Sequence, residues 1–167
     1  YKGGVRISML AGRDAIEDYE KKHAMIQEAT HLLSVKPDQV DSGVRKLLDA
    51  NAALKSKLIA FQRQIGEEKA AAIPEGTRKI CFLEPNFQSD ELREMCNKAA
   101  VKAELVLGLL PIREGLCQYV LISNQTDVRE LGKALNEEFN GKGGGQPSMV
   151  QGTLMADGEE IKAYFLE

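Results

Sequence analysis

The chain has little with which to do metal or nucleophilic chemistry. Its only histidines, His23 and His31, lie eight residues apart in one segment, and its three cysteines, Cys81, Cys96 and Cys117, are remote from them and from each other. A protein zinc site draws on His and Cys at close spacing with further ligands, so no zinc is expected in this chain. No Ser-His-Asp arrangement can be assembled, and no histidine stands near a cysteine to activate it. The odd, widely spaced cysteines exclude a disulfide framework and fit buried, reduced thiols in a cytoplasmic protein. No apolar run approaches the roughly 20 residues needed to span a bilayer. Tyr1 is not an initiator methionine, and no basic-then-apolar signal segment follows. The chain is therefore expected to be cut from a longer protein. Excess positive charge is missing too. The net charge is −3, with 12 Lys/Arg against 10 Asp/Glu in residues 1–73 and 10 against 15 in residues 74–167. Dedicated duplex binders are usually basic, so any nucleic-acid contact has to use a local patch.

Two long helices are what the first half offers. Residues 1–10 alternate Val5, Ile7 and Met9 with Arg6 and Ser8, which predicts a short strand. From Arg13 the apolar positions Ile16, Tyr19, His23, Ile26, Thr30 and Leu33 recur in steps of three and four. After a break at 34–36, Pro37 is suited to the first turn of a second helix, with Asp38 favouring its dipole. Val40, Val44, Leu47, Asn51, Leu54, Leu58, Phe61 and Ile65 then keep a 4-3-4-3 spacing, a heptad seam with one polar member, Asn51. A short turn between the helices predicts an antiparallel hairpin. Its longer second helix leaves surplus seam near Leu58, Phe61 and Ile65 for forming a homodimer. Residues 66–76, ending in Pro74 and Gly76, read as a hinge and as the boundary of the next unit.

Beyond it, strands and helices alternate. Strands are predicted at 78–83, 105–110, 117–123 and 148–155, the middle two as a hairpin. Helices are predicted from Ser89, from Thr126 to about Phe139, and after Asp157, where Glu160 three residues on makes a capping-box pattern. The expectation is an α+β chain: a long helical hairpin over 12–73, then a small two-layer α/β lobe over 74–167 with a four-stranded sheet. Paired carboxylates at 67–68, 137–138 and 159–160 read as solvated helix ends.

The densest signal is Gly141-Lys142-Gly143-Gly144-Gly145-Gln146-Pro147-Ser148-Met149-Val150-Gln151-Gly152, which holds five of the 15 glycines. Ordering so many glycines as helix is too costly, so the run reads as a loop. No Gly-Lys-Ser/Thr follows, which excludes a nucleotide P-loop, and the run precedes a strand rather than opening a helix, which excludes a dinucleotide fingerprint. Two readings stay open. The amides beside Lys142 form an anion nest, or the run is a structural turn.

This run resembles the glycine motif of the DHH-associated domain, usually G-G-G-G-R-P-D-M-A-Q-G. Gly143, Gly144, Gly145, Pro147, Met149, Gln151 and Gly152 match it, whereas Gln146 replaces Arg, Ser148 replaces Asp and Val150 replaces Ala. That domain closes alanyl-tRNA synthetases and the longer alanyl-tRNA editing proteins, and follows DHH phosphoesterase domains. Residues 2–19 are similar to the last strand and following helix of the editing domain, with 1–11 as its tail, and residues 33–58 resemble the helical connector that follows. The three segments stand in family order. The resemblance implies a tRNA-binding and dimerisation module of an alanyl-tRNA editing protein. Zinc is then expected in an editing domain upstream, because neither His-x-x-x-His nor Cys-x-x-x-His occurs here, and no residue of this chain is expected to be catalytic. Lys142, Gly143, Gly144, Gly145, Gln146 and Ser148 are the implied contacts to alanine tRNA. The alternatives are the carboxyl-terminal part of alanyl-tRNA synthetase, a structural dimerisation module without RNA contact, and the clamping lobe of a DHH phosphoesterase. Residues 2–19 argue against the last.

Overall fold

The computed structural model describes residues 3–5 and 8–167, in two compact units, 1–55 and 56–167. The strand expected over residues 1–10 lies partly outside the described residues. Those that are described there form no strand, and Val5 and Met9 are exposed.

In the first unit α1 (Arg13–Leu33) ends at Ser34, which takes a left-handed conformation at φ 52°. Val35 N–H then donates to Thr30 O at 3.1 Å, closing the helix end. Pro37–Gln39 forms a 3-10 turn with proline in its first turn, as expected, and leads directly into α2 (Val40–Ala71). The antiparallel hairpin is not formed. Ile16, Tyr19 and Ile26 of α1 are exposed, as are Val44, Leu47 and Leu54 of α2. The physical reason is that each helix is held by its own backbone ladder and by surface pairs such as Arg13–Glu17 at 2.9 Å, and among the described residues the two meet only near the turn, where a Cβ on Gly43 would stand 3.3 Å from Leu33 Cδ1.

The second unit begins within α2. Residues 66–71 are helical and not a hinge. Gln62, Gly66, Ala70 and Ile73 make a buried stripe at helical spacing, and at Gly66 a Cβ would stand 3.1 Å from Met95 Cβ. The elements that follow are β1 (Thr77–Leu83), α3 (Ser89–Ala99), β2 (Ala103–Arg113), β3 (Leu116–Ile122), α4 (Arg129–Glu138), β4 (Lys142–Gln146), β5 (Met149–Leu154) and α5 (Gly158–Leu166). They build one mixed sheet in the order β1-β2-β3-β5-β4, with β1 parallel to β2 and every other pair antiparallel. The expected four strands are all present, and β2 and β3 form the expected hairpin. The fifth is the glycine run itself.

Strand alternation divides the core in two. Val106, Val120 and Ile122 turn to one face, with Leu92, Met95 and Cys96 of α3 and Ala70 and Ile73 from the end of α2. Leu107, Leu109, Tyr119 and Leu121 turn to the other, with Leu135 of α4 and Ile161 and Phe165 of α5. The lobe is therefore layered on both faces of its sheet rather than two-layered. β2 and β3 are apolar on both sides, which is the pattern of strands covered twice.

The helix starts differ from expectation in detail. Ser89 lies inside α3 and donates its hydroxyl to Gln118 Oε1 at 2.7 Å, with no side-chain cap at the helix start. Thr126 does not cap α4. Asp127 Oδ1 instead accepts from Arg129 N–H at 3.0 Å. Asp157 caps α5 as expected, accepting from Glu159 N–H at 3.0 Å.

Candidate nucleic-acid interface

After α4 the chain reverses through Asn140, at φ 47°, and runs outward as β4. It returns through Pro147 and Ser148 as β5, pairing Lys142 with Thr153, Gly143 with Gly152, Gly144 with Gln151, Gly145 with Val150 and Gln146 with Met149. The two turn carbonyls are both used: Pro147 O accepts from Val128 N–H at 2.8 Å and Ser148 O from Ser123 N–H at 3.1 Å. The glycine run is thus a strand at the end of the sheet, with its tip tied to the start of α4 and the end of β3.

The glycines fall into two kinds. A Cβ on Gly143 would lie 2.6 Å from both Gln151 O and Tyr119 Oη, and one on Gly145 or Gly152 would run into the backbone of the neighbouring strand. These three permit an approach between β4 and β5 that no side chain allows. Gly144 differs, since nothing lies within 4 Å of its Cβ position. Alternation explains the contrast. Gly143 and Gly145 face the α4 side, whereas Lys142, Gly144 and Gln146 share the opposite side with Gln151, at an end of the sheet that α3 does not reach among the described residues. Lys142, Gly144, Gln146 and Gln151 are all exposed.

An anion nest is not formed. Successive amides of an extended strand point to opposite sides, so they cannot converge on one anion as they do in a nest. On the α4 side, a groove of about 240 Å³ is lined by Arg129, Gly132, Lys133, Asn136, Gly143–Gly145 and Val150. Asn136 spans it, accepting from the buried Tyr119 hydroxyl at 3.1 Å and donating to Gly143 O at 3.4 Å. Its most prominent cation is already engaged. Arg129 grips Asp127 through Nε and Nη2 at 2.7–3.1 Å, which holds the Asp127 carboxyl below its usual range. On the open face, a second groove of about 220 Å³ continues from Gln151 to Gln118, Ser89 and Arg93. Of the residues singled out in sequence, Lys142, Gly144 and Gln146 are brought together on that face. Gly143 and Gly145 turn away from it, and Ser148 sits in the turn. Gln118 and Arg93 were invisible to sequence reasoning because only pairing and packing carry them there. Gln151 had a signal, being part of the motif.

Among the described residues no group of three or more His, Cys, Asp and Glu is placed to hold a metal ion. His23 and His31 are exposed on α1, and Cys96 and Cys117 are buried in the lobe. Among the described residues no helix is long and apolar enough to cross a membrane.

No family model matches the chain. Three relatives cover most of it. The chain is similar to part of alanine–tRNA ligase. The ligase of Aromatoleum aromaticum is 26% identical over 167 residues, covering 90% of this chain and 19% of the ligase. That of Granulibacter bethesdensis is 27% identical over 156 residues, covering 87% and 18%, and that of Archaeoglobus fulgidus 24% over 168, covering 95% and 18%. The chain therefore spans about a fifth of the length of these ligases. Among solved structures, the C-Ala domain of Aquifex aeolicus alanyl-tRNA synthetase aligns with a TM-score of 0.43 at 18% identity, covering 56% of this chain and 92% of that domain.

Proposed function

We propose that this chain is the carboxyl-terminal, tRNA-binding part of an alanine–tRNA ligase, and that it meets alanine tRNA with the open face of β4. The observation that carries the reading is the likeness to alanine–tRNA ligases over 87–95% of the chain. The exposed cation Lys142, the bare backbone at Gly144 and the amides of Gln146 and Gln151 supply a contact surface in an otherwise acidic lobe. Gln146 stands where the related motif has Arg, so one fixed cation for bidentate phosphate contact is missing. Binding is modest, and each phosphate contacted adds about −0.7 to −0.9 to the slope of log affinity on log salt. Amino-acid activation and transfer belong to other parts of the longer protein.

Titration of alanine tRNA at several salt concentrations tests this. Lys142→Glu and Gly144→Glu weaken binding, and Gln146→Arg tightens it. Gly144 has room for a side chain, so circular dichroism of Gly144→Glu remains that of the parent. Unchanged affinity in all three folded variants overturns the interface.

A second reading, an alanyl-tRNA editing protein with its zinc in an upstream editing domain, rests on the likeness of residues 2–19 to the end of that domain. The relatives found are ligases, which favours the first reading. The sequence upstream of Tyr1 separates the two: a ligase carries an aminoacylation domain before the editing domain, and an editing protein does not.

A further inference from the structure

We propose that Asn140 is a chemical modification site, whose carboxamide is displaced by the backbone nitrogen of Gly141, and that the fold holds this reaction in check until β4 leaves the sheet. Of the asparagines in the chain, Asn140 alone is followed by glycine. With no side chain beside it, the glycine nitrogen is free to attack the Asn140 Cγ. Gly141 N bonds to that carbon and the carboxamide C–N bond breaks. Ammonia leaves with the former backbone proton, and a cyclic succinimide remains. Water then opens the ring at either carbonyl, giving aspartate or isoaspartate.

The corner between α4 and β4 imposes this pair. Asn140 follows the helix in a left-handed conformation at φ 47°, which asparagine tolerates better than most residues that carry a side chain. Gly141 cannot be larger, because a Cβ there would lie 2.5 Å from Leu154 Cδ2 and 2.6 Å from Thr153 O. Packing thus selects two residues that are chemically fragile side by side. The same corner shields them. Gly141 N–H donates to Asn136 O at 2.7 Å, and Met155 N–H to Phe139 O at 2.8 Å. A nitrogen whose proton is held by a carbonyl is a poor nucleophile, since attack requires that proton to leave. The Asn140 side chain is exposed to water and base, so only the nitrogen is withheld. The weak point is the strand that follows. β4 is exposed throughout, is glycine in three of its five residues and pairs in the sheet with β5 alone. Local release of such a border costs less than global unfolding, and it frees the Gly141 amide. Isoaspartate then bars the return, because it routes the main chain through an extra carbon that the tied corner has no room for.

Peptide mapping by mass spectrometry, with isoaspartate labelled by enzymatic methylation, follows the 167-residue chain through incubation at mildly alkaline pH. Asn140 should be the first asparagine converted, and the urea-unfolded chain should react more than about tenfold faster than the native one. Below the unfolding transition the rate should barely respond to urea, because release of β4 exposes little surface. Gly143→Ala spoils the fit of β4 against β5. Asn136→Ala removes the bond from Asn136 Nδ2 to Gly143 O and keeps the carbonyl that holds Gly141. Both variants should react faster than the parent while retaining its circular dichroism. The purified isoaspartate form should melt lower than Asn140→Asp, which carries the new charge on an unaltered main chain. Equal rates in the native and unfolded chain, earlier conversion of another asparagine, a native rate that climbs steeply with the first urea added, loosened variants no faster than the parent, or an isoaspartate form as stable as Asn140→Asp each overturns the proposal.

Discussion

Single atoms decide which glycines the lobe can spare. At Gly143 and Gly145 a methyl group would meet a carbonyl oxygen of β5, and overpacking of this kind costs about 1–3 kcal/mol. Gly143→Ala and Gly145→Ala should therefore lower the melting temperature of the lobe. Gly144→Ala, with open space around its Cβ, should leave it unchanged or raise it slightly, because alanine has less backbone freedom to lose. Equal effects at the three positions would contradict the geometry, and thermal melts followed by circular dichroism are sufficient to compare them. The cysteines give a second test at this scale. Burial raises the thiols of Cys81, Cys96 and Cys117, the first to about 12. Thiolate is the reactive form, so a disulfide reagent at mildly alkaline pH should titrate the native protein slowly and all three thiols rapidly once it is unfolded.

At the level of elements, the junction of α2 and α3 is held by charge as well as by the core. Lys98 Nζ lies 2.7 Å from Glu67 Oε1 and 3.0 Å from Glu94 Oε1, and Lys102 Nζ donates to Ala71 O at 2.7 Å, closing the end of α2. The hydrogen bond from Lys98 lowers the Glu94 carboxyl, and the bond to Glu67 raises the Lys98 ammonium. The direction of the pH effect follows. A lowered carboxylate stabilises the fold above its unfolded pKa, and that stability is lost as pH falls through the folded value. The raised ammonium acts at the other end, losing its contribution as pH rises through its folded value. Lys98→Met should be slightly less stable than the parent at neutral pH, and the gap should close in acid below the carboxylate range, as melts across pH will report. The effect is small because these groups are exposed and solvent screens them. The cap of α5 is a separate element-scale test. Asp157→Ala removes the acceptor for Glu159 N–H and should cost about 1 kcal/mol, since Ile161 and Phe165 tie that helix into the core. Chemical denaturation measures it.

The whole chain was legible wherever hydrophobic period speaks for itself. Strands such as β3 (Leu116–Ile122) and the helices α1, α2 and α3 follow from runs and steps of apolar residues. The glycine run was misread because glycine has no side chain to display a period. Its strand is made by backbone pairing to β5, a non-local cause absent from local composition. The hinge at Gly66 failed for a related reason: a glycine in a helix can serve close packing, here against Met95, as well as a break. Both sheet faces are covered because α3 and the end of α2 take one side while α4 and α5 take the other, and that division shows only after the strands are ordered. Of the candidate interface, Lys142 and Gln146 were visible in the motif. Their grouping with Gln151 at the open end of the α3 side depends on the register of β4 against β5. The hairpin of α1 and α2 was expected from the short turn between them, and a short connection alone does not bring the apolar stripes of two helices together.

The placing of that glycine strand has a consequence for solubility. A strand at the end of a sheet offers its free backbone groups as a template on which a foreign chain can add, the first step of edge-to-edge aggregation. Proteins usually defend such borders with a covering helix, a proline or a row of charges. Here β4 is five residues long and three of them are glycine, the residue that gives up most freedom when it is held extended. An intruding strand would have to hold still a border whose own order depends on the fit with β5. This rim of the lobe is thus a poor mould, and the same backbone economy that lets β4 lie so close to its neighbour discourages growth of the sheet at this edge.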